Sequence, residues 1–252
     1  MSPYFSVIIP TLNEEKYLPN LLNSLYAQTS NNFEIIVIDG KSEDKTAKIV
    51  KAYSGKFSKQ NINLRLLISP QRSSASQRNM GARHAKGQCF VFFDADIVCN
   101  PNYLVNIWER INTKKSQFCT TYVKGDKSGI YESFISYVVN MTMDGAKLIG
   151  RPLCIGFNTI VAKDVFFKVG GFDPRVNVID DYDFSLRAGN MRIRLDIYRD
   201  LRIQFSLRRF RSEGWFKTFF KYVGIAIYTL IMGVPKKQIF VYPMGGQVHE
   251  SK

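Results

Sequence analysis

Short apolar runs and stretches of helical patterning alternate along the first hundred residues. FSVII (Phe5 to Ile9) and FEIIVI (Phe33 to Ile38) are β-type runs, and Glu15 to Gln28 and Asp44 to Tyr53 are patterned as helices. Leu64 to Ser69 and Cys89 to Phe93 continue the series as strands, with Ser74 to Ala85 predicted as a helix between them. The run CFVFF is wholly apolar, which predicts a strand in mid-sheet covered on both faces. Strands and helices in strict alternation predict parallel strands with crossover helices. The expected fold class is therefore α/β, with a Rossmann-like, mostly parallel central sheet flanked by helices.

Beyond residue 100 the pattern is more mixed. It predicts a strand at Phe118 to Val123, a helix from Tyr131 to Lys147 and a strand at Ile155 to Ala162. Gly170-Gly171-Phe172-Asp173-Pro174 is a turn signal, and Asp180 to Ala188 is a helix with acidic residues in its first turn, where the helix dipole favours them. Met191 to Tyr198 and Arg202 to Leu207 are expected as two late strands, and Ser212 to Met232 as one amphipathic-to-apolar helix. The chain divides accordingly into a domain over residues 1–210, with halves at about 1–98 and 99–210, and a basic, aromatic helical segment over 211–252.

Composition adds a charge argument. Lys and Arg number 35 against 21 Asp and Glu, a formal +14 that makes nucleotides, nucleic acid and acidic lipid headgroups the candidate partners. Residues 192–252 hold 12 Lys or Arg against 4 Asp or Glu, so the basic excess is concentrated in the last quarter. The longest uncharged apolar stretch there, Tyr222 to Val234, has 13 residues, while a spanning helix needs about 20. MSPYFSVIIP has no positively charged start and no small-residue cleavage site, so the expected location is cytoplasmic. Cys89, Cys99, Cys119 and Cys154 are isolated, without metal-binding spacing, and are expected to be buried reduced thiols.

In a sheet of this kind ligands bind beyond the carboxyl ends of the strands. Three polar loops stand there: Pro10-Thr11-Leu12-Asn13-Glu14, Asp39-Gly40-Lys41-Ser42 and Asp94-Ala95-Asp96. Two carboxylates directly after an apolar strand are costly to hold together unless a cation neutralises them. Magnesium or manganese, which takes oxygen ligands and shares them with substrate phosphates, suits such a loop; a polar turn capping a strand is the plain alternative. Asp39 can accept hydrogen bonds from a base or ribose, with Ser42 extending the same surface. Arg78 lies in the helix that feeds the Asp94 strand, where a guanidinium can meet a phosphate, a carboxylate or only solvent.

These segments occur together with Gln77-Arg78-Asn79-x-Gly81, Gly170-Gly171-Phe172-Asp173 and Asp180-Asp181-Tyr182-Asp183-Phe184-x-Leu186-Arg187. In that order they resemble glycosyltransferase family 2, the inverting enzymes of the GT-A fold, over residues 5 to 210. The resemblance implies a UDP- or GDP-linked sugar donor, an acceptor, and a Mg2+ or Mn2+ ion. Carried onto this chain, it implies that Pro10, Thr11, Asn13, Glu14, Asp39 and Ser42 hold the nucleoside and that Arg78 positions Asp39 or the phosphates. It gives Asp94 and Ala95 to the donor, Asp94 and Asp96 to the metal, and the general base to Asp181. Asp180 stands where the family usually has Glu, which leaves both carboxylates open for the acceptor. The family's late histidine ligand has no clear counterpart, because His84 precedes the metal strand and His249 lies among the last four residues.

An inverting transfer needs one carboxylate to take a proton and a separate cation to neutralise the leaving diphosphate. Without the resemblance, the Asp180–Asp183 group reads equally as helix capping. In the basic segment, Arg208 and Arg209 are candidates for the diphosphate or an anionic acceptor. The aromatic helix that follows suits a membrane interface, with the acceptor lipid-linked, or simple packing on the domain. A dinucleotide fold would need Gly-x-Gly-x-x-Gly after the first strand and a P-loop enzyme Gly-Lys-Ser or Gly-Lys-Thr; neither is present. A non-enzymatic basic protein binding nucleic acid or acidic membrane is the competing class. It explains the C-terminal charge and none of the acidic motifs, so no nucleic-acid partner is expected.

Overall fold

The computed structural model describes residues 3–176, 178–236 and 245. In chain order its elements are β1 (Phe5–Thr11), α1 (Leu18–Tyr26), β2 (Phe33–Asp39), α2 (Thr46–Ser58), β3 (Leu64–Ile68), α3 (Ser74–His84), β4 (Cys89–Phe93), β5 (Ile97–Val98) and α4 (Tyr103–Lys114). There follow β6 (Phe118–Gly125), α5 (Ile130–Leu148), β7 (Asn158–Ala162), α6 (Lys163–Val169), α7 (Asp180–Asn190), β8 (Asp196–Phe205), α8 (Arg208–Glu213) and α9 (Trp215–Met232).

The strands form one eight-stranded sheet in the order β3-β2-β1-β4-β7-β6-β8-β5. β1 is flanked by β2 and β4, both parallel to it, and β7 joins β4 antiparallel. Alternation along β1 divides the core between two faces. Phe5, Val7 and Ile9 pack with Leu18, Leu22, Leu25 and Val50 from α1 and α2. Ile8, Ile36 and Ile38 pack on the other face with Ala75 and Ala82 of α3 and with Phe166 and Phe184. As expected for CFVFF, every residue of β4 is buried.

β1 runs two residues further than its apolar run, so Pro10 and Thr11 are strand residues paired with Ile38 and Asp39. A proline is tolerated there because the Thr11 carbonyl accepts from Gly40 on the β2 side, which turns the N–H position of residue 10 toward β4. The β1–β4 ladder has already ended at Ile8.

Two expectations for the last third are corrected. The two late strands are one, β8, because residues 191–195 form a turn and the polar stretch Arg199–Leu201 is absorbed as an irregularity in the pairing with β6. There Thr121 faces Tyr198 while Tyr122 already faces Arg202. The helix expected from Ser212 is two helices. Gly214 stands between α8 and α9 at φ 94°, a conformation only glycine adopts readily. The four cysteines are free and buried. Among the described residues no helix is long and apolar enough to cross a membrane.

Candidate active site

The loops after β1 and β2 are held as one unit by side chains. Asn13, at φ 53°, donates its backbone N–H to Ser42 Oγ (2.8 Å) and accepts from the Glu43 N–H through Oδ1 (2.8 Å). Glu14 N–H donates to Thr46 Oγ1, also at 2.8 Å. Asp39 is buried at the end of β2 and accepts from the Ser42 N–H and hydroxyl. Arg72, which the sequence did not single out, braces this unit through the Gly40 and Lys41 carbonyls and Glu43.

Arg78 joins the second set of acids. Its guanidinium is buried; one nitrogen donates to Asp94 Oδ1 at 2.7 Å and the other to Asp180 Oδ2 at 2.8 Å. The sequence left phosphate, carboxylate or solvent open for this residue, and the structure places it between carboxylates. It does not touch Asp39, contrary to one of its implied roles, because α3 presents the side chain toward α7 while Gln77 faces the Thr11 carbonyl.

Asp181 lies beside that pair. Its Oδ2 accepts from the Gly156 backbone N–H at 2.6 Å and its Oδ1 from the Tyr182 N–H at 2.8 Å. A Cβ at residue 156 would come 3.1 Å from both terminal nitrogens of Arg78 and from Asp181 Oδ2, so a larger residue here would press on the Arg78–Asp181 contact. Burial, then the neighbouring Asp180, pushes Asp181 up to about 7, against the pull of Arg78 and the two N–H donors. Burial also raises Asp180, opposed by Arg78.

A third set closes the site from the far end of the chain. Arg208, at the start of α8, makes a two-pronged pair with Glu14 (2.7 and 2.8 Å) and approaches Asp96 Oδ2 at 3.2 Å. The same guanidinium lies over the Tyr17 ring, 4.2 Å from its centre. Burial pushes Glu14 up to about 7 and Asp96 to about 6, and Arg208 opposes both shifts. Arg209 contributes a further favourable field at Asp96. The pairing of Arg208 with Glu14 is invisible to sequence reasoning, since the partners are 194 residues apart.

Ala95 is buried between the two aspartates. Asp94 and Asp96 offer oxygen ligands on one turn at the end of β4, which fits a magnesium or manganese ion that completes its shell with phosphate and water. Among the described residues no group of three or more His, Cys, Asp and Glu could hold a metal unaided. His84 is exposed, its ring bonded to the Met80 carbonyl in α3, and takes no part in the site; His249 lies outside the described residues.

The sequence matches the family described as Glycosyl transferase family 2 over residues 6–170. The chain belongs to glycosyl transferase family 2. Its relatives include a Methanococcus voltae protein named dolichyl N-acetyl-alpha-D-glucosaminyl phosphate 3-beta-D-2,3-diacetamido-2,3-dideoxy-beta-D-glucuronosyltransferase. The two are 31% identical over 195 residues, which is 72% of this chain and 57% of that one. Poly(ribitol-phosphate) beta-N-acetylglucosaminyltransferase TarS of Staphylococcus aureus is 27% identical over 81% of this chain and 36% of its own. The chain thus spans well under two thirds of these relatives' length.

Two solved structures show the same fold. Mannosyltransferase PcManGT from Pyrobaculum calidifontis, in complex with GDP-Man and Mn2+, superposes with a TM-score of 0.67 at 20% identity, covering 89% of this chain and 65% of that one. Residues 1–349 of S. aureus TarS with UDP-GlcNAc give 0.64 at 24% identity, covering 80% and 58%. The α/β fold expected from the family 2 resemblance is the observed one.

Proposed function

We propose that the protein is an inverting glycosyltransferase that moves a sugar from a nucleotide-diphosphate donor to an acceptor hydroxyl or phosphate, with Asp181 as the base. The observation that carries the proposal is the network through Arg78, which ties the Asp94 turn to the Asp180–Asp181 pair. Donor-side and acceptor-side acids are thereby held at one place. Asp180 is ion-paired with Arg78, whereas Asp181 accepts from two backbone N–H groups and keeps lone pairs for the acceptor's proton, a task that a pKa near 7 suits. Asp39, Ser42 and the Asn13–Glu14 loop would bind the nucleoside, and Arg208 and Arg209 the diphosphate. Asp94 and Asp96 would hold Mg2+ or Mn2+, which when bound neutralises the leaving diphosphate. The bound UDP-GlcNAc and GDP-Man of the structural relatives support both bases as donor candidates.

The acceptor is lipid-linked, presented at the cytoplasmic face of a membrane with α9 in peripheral contact. The dolichyl phosphate in the name of the M. voltae relative supports this, as do the cations and aromatics of α8 and α9. Asp181→Asn is the test. It should lower kcat by roughly 10²- to 10⁴-fold while nucleotide binding, read by thermal shift, is kept. In the wild type, kcat/KM should fall as pH drops through about 7, because the base is then protonated. A variant with kcat within a few-fold of wild type would remove Asp181 from the chemistry.

A further inference from the structure

We propose that the outward side of α5, with the adjoining side of α9, is a surface that lies in the plane of an anionic lipid bilayer. α5 has 19 residues, and a surface helix of that length ordinarily turns its charges to water. This one does the reverse. Ile130, Tyr131, Phe134, Tyr137, Met141 and Leu148 are between 41% and 88% exposed, and the other exposed positions of the helix are Ser133, Thr142 and Gly145. Its charges are turned inward instead: Glu132 is buried, and Asp144 and Lys147 are half-buried.

α9 continues the face. Tyr131 stacks on Trp215 at 5.3 Å and Phe134 meets Phe219 at 6.2 Å, and on α9 itself Phe216, Phe220, Ile227 and Ile231 are exposed. Exposed apolar side chains gathered in this number on two touching helices mark an interaction site.

The charges around it select the occupant. Lys124 and Lys127 are exposed just before α5, Lys217 is exposed on α9, and Lys236 is exposed after it. Cations beside tyrosine, tryptophan and phenylalanine match the headgroup layer of an anionic membrane. A second copy of the chain on the same face would instead bring like charges together. The surface is also coupled to the site, because Arg211 of α8 bonds Asp126 and lies 3.5 Å from Glu132 in the first turn of α5, while Arg208 of the same helix pairs with Asp96. A lipid-anchored acceptor would therefore arrive next to the donor. For that use the inference rests on the lipid-linked reading above.

Flotation of the full 252-residue chain with phosphatidylcholine vesicles, with and without phosphatidylglycerol, tests it. The wild type should float with the anionic vesicles. Phe134→Ser with Tyr137→Ser, and separately Phe216→Ser with Phe220→Ser, should each weaken partitioning roughly tenfold. Hydrolysis of the donor in solution should be unchanged, since these side chains lie outside the site, and each variant should still unfold cooperatively, with its melting temperature lowered only by the lost ring contacts to Phe219. Failure of the wild type to float, or wild-type flotation by the α5 pair, would overturn the inference. So would a dimer by light scattering that dissolves in the α5 pair without any vesicle binding. Flotation as expected with no donor turnover would sink the transferase reading and leave the surface standing.

Discussion

Arg78 presents two different nitrogens to two carboxylates from distant parts of the chain, with its side chain only 5% exposed. A guanidinium can do this because its donors are fixed in a plane, while an ammonium is a single point of charge. Arg78→Met would leave Asp94, Asp180 and Asp181 without their cation and should cost about 3–5 kcal/mol, the usual penalty for breaking a buried pair from one side. Arg78→Lys should recover only part of that. Urea denaturation of both variants measures it, and a Met variant as stable as wild type would contradict the network. The residue types of this site were legible in the sequence, because the acids and Arg78 sit in short motifs. The Gly156 N–H that holds Asp181 was not, since a backbone donor leaves no side-chain signature.

At the scale of elements, legibility followed length and burial. β1, β2 and β4 are fully buried strands whose apolar runs left no other reading, and α5 lies within one residue of its expected bounds. β5 has two residues and α6 has seven, too short for a period to register. α4 was also missed, although its 12 residues are amphipathic. The break before α9 depends on one dihedral angle. Gly214 holds φ 94° and ψ 138°, which a residue with a Cβ reaches only at a cost of roughly 1–3 kcal/mol. Gly214→Ala should therefore lower the melting temperature and, by straining the junction behind Arg208, raise the KM for the donor. A variant matching wild type in both would mean that α8 and α9 can be joined without disturbing the site.

For the molecule as a whole, Arg208 ties the start of the fold to its end, binding Glu14 after β1 and Asp96 after β4. Removing it by Arg208→Gln leaves the buried Glu14 and the half-buried Asp96 with less to oppose their desolvation. Glu14 and Asp96 already stand near 7 and 6, above the range of about 4 expected in an unfolded chain, so the folded state holds their protons more tightly. Stability from this pair is therefore present at low pH and declines as pH rises from about 4 through 7, because the unfolded state releases its protons first. Arg208 limits that decline by favouring the charged forms. Its loss should consequently be felt most at pH 8, at about 2–4 kcal/mol, and much less near pH 5.5, where both acids can stay protonated. Paired denaturation curves at the two pH values read the difference directly. An equal loss at both would show that Glu14 and Asp96 do not depend on Arg208 for their charge, and the two ends of the chain would then be joined by packing alone.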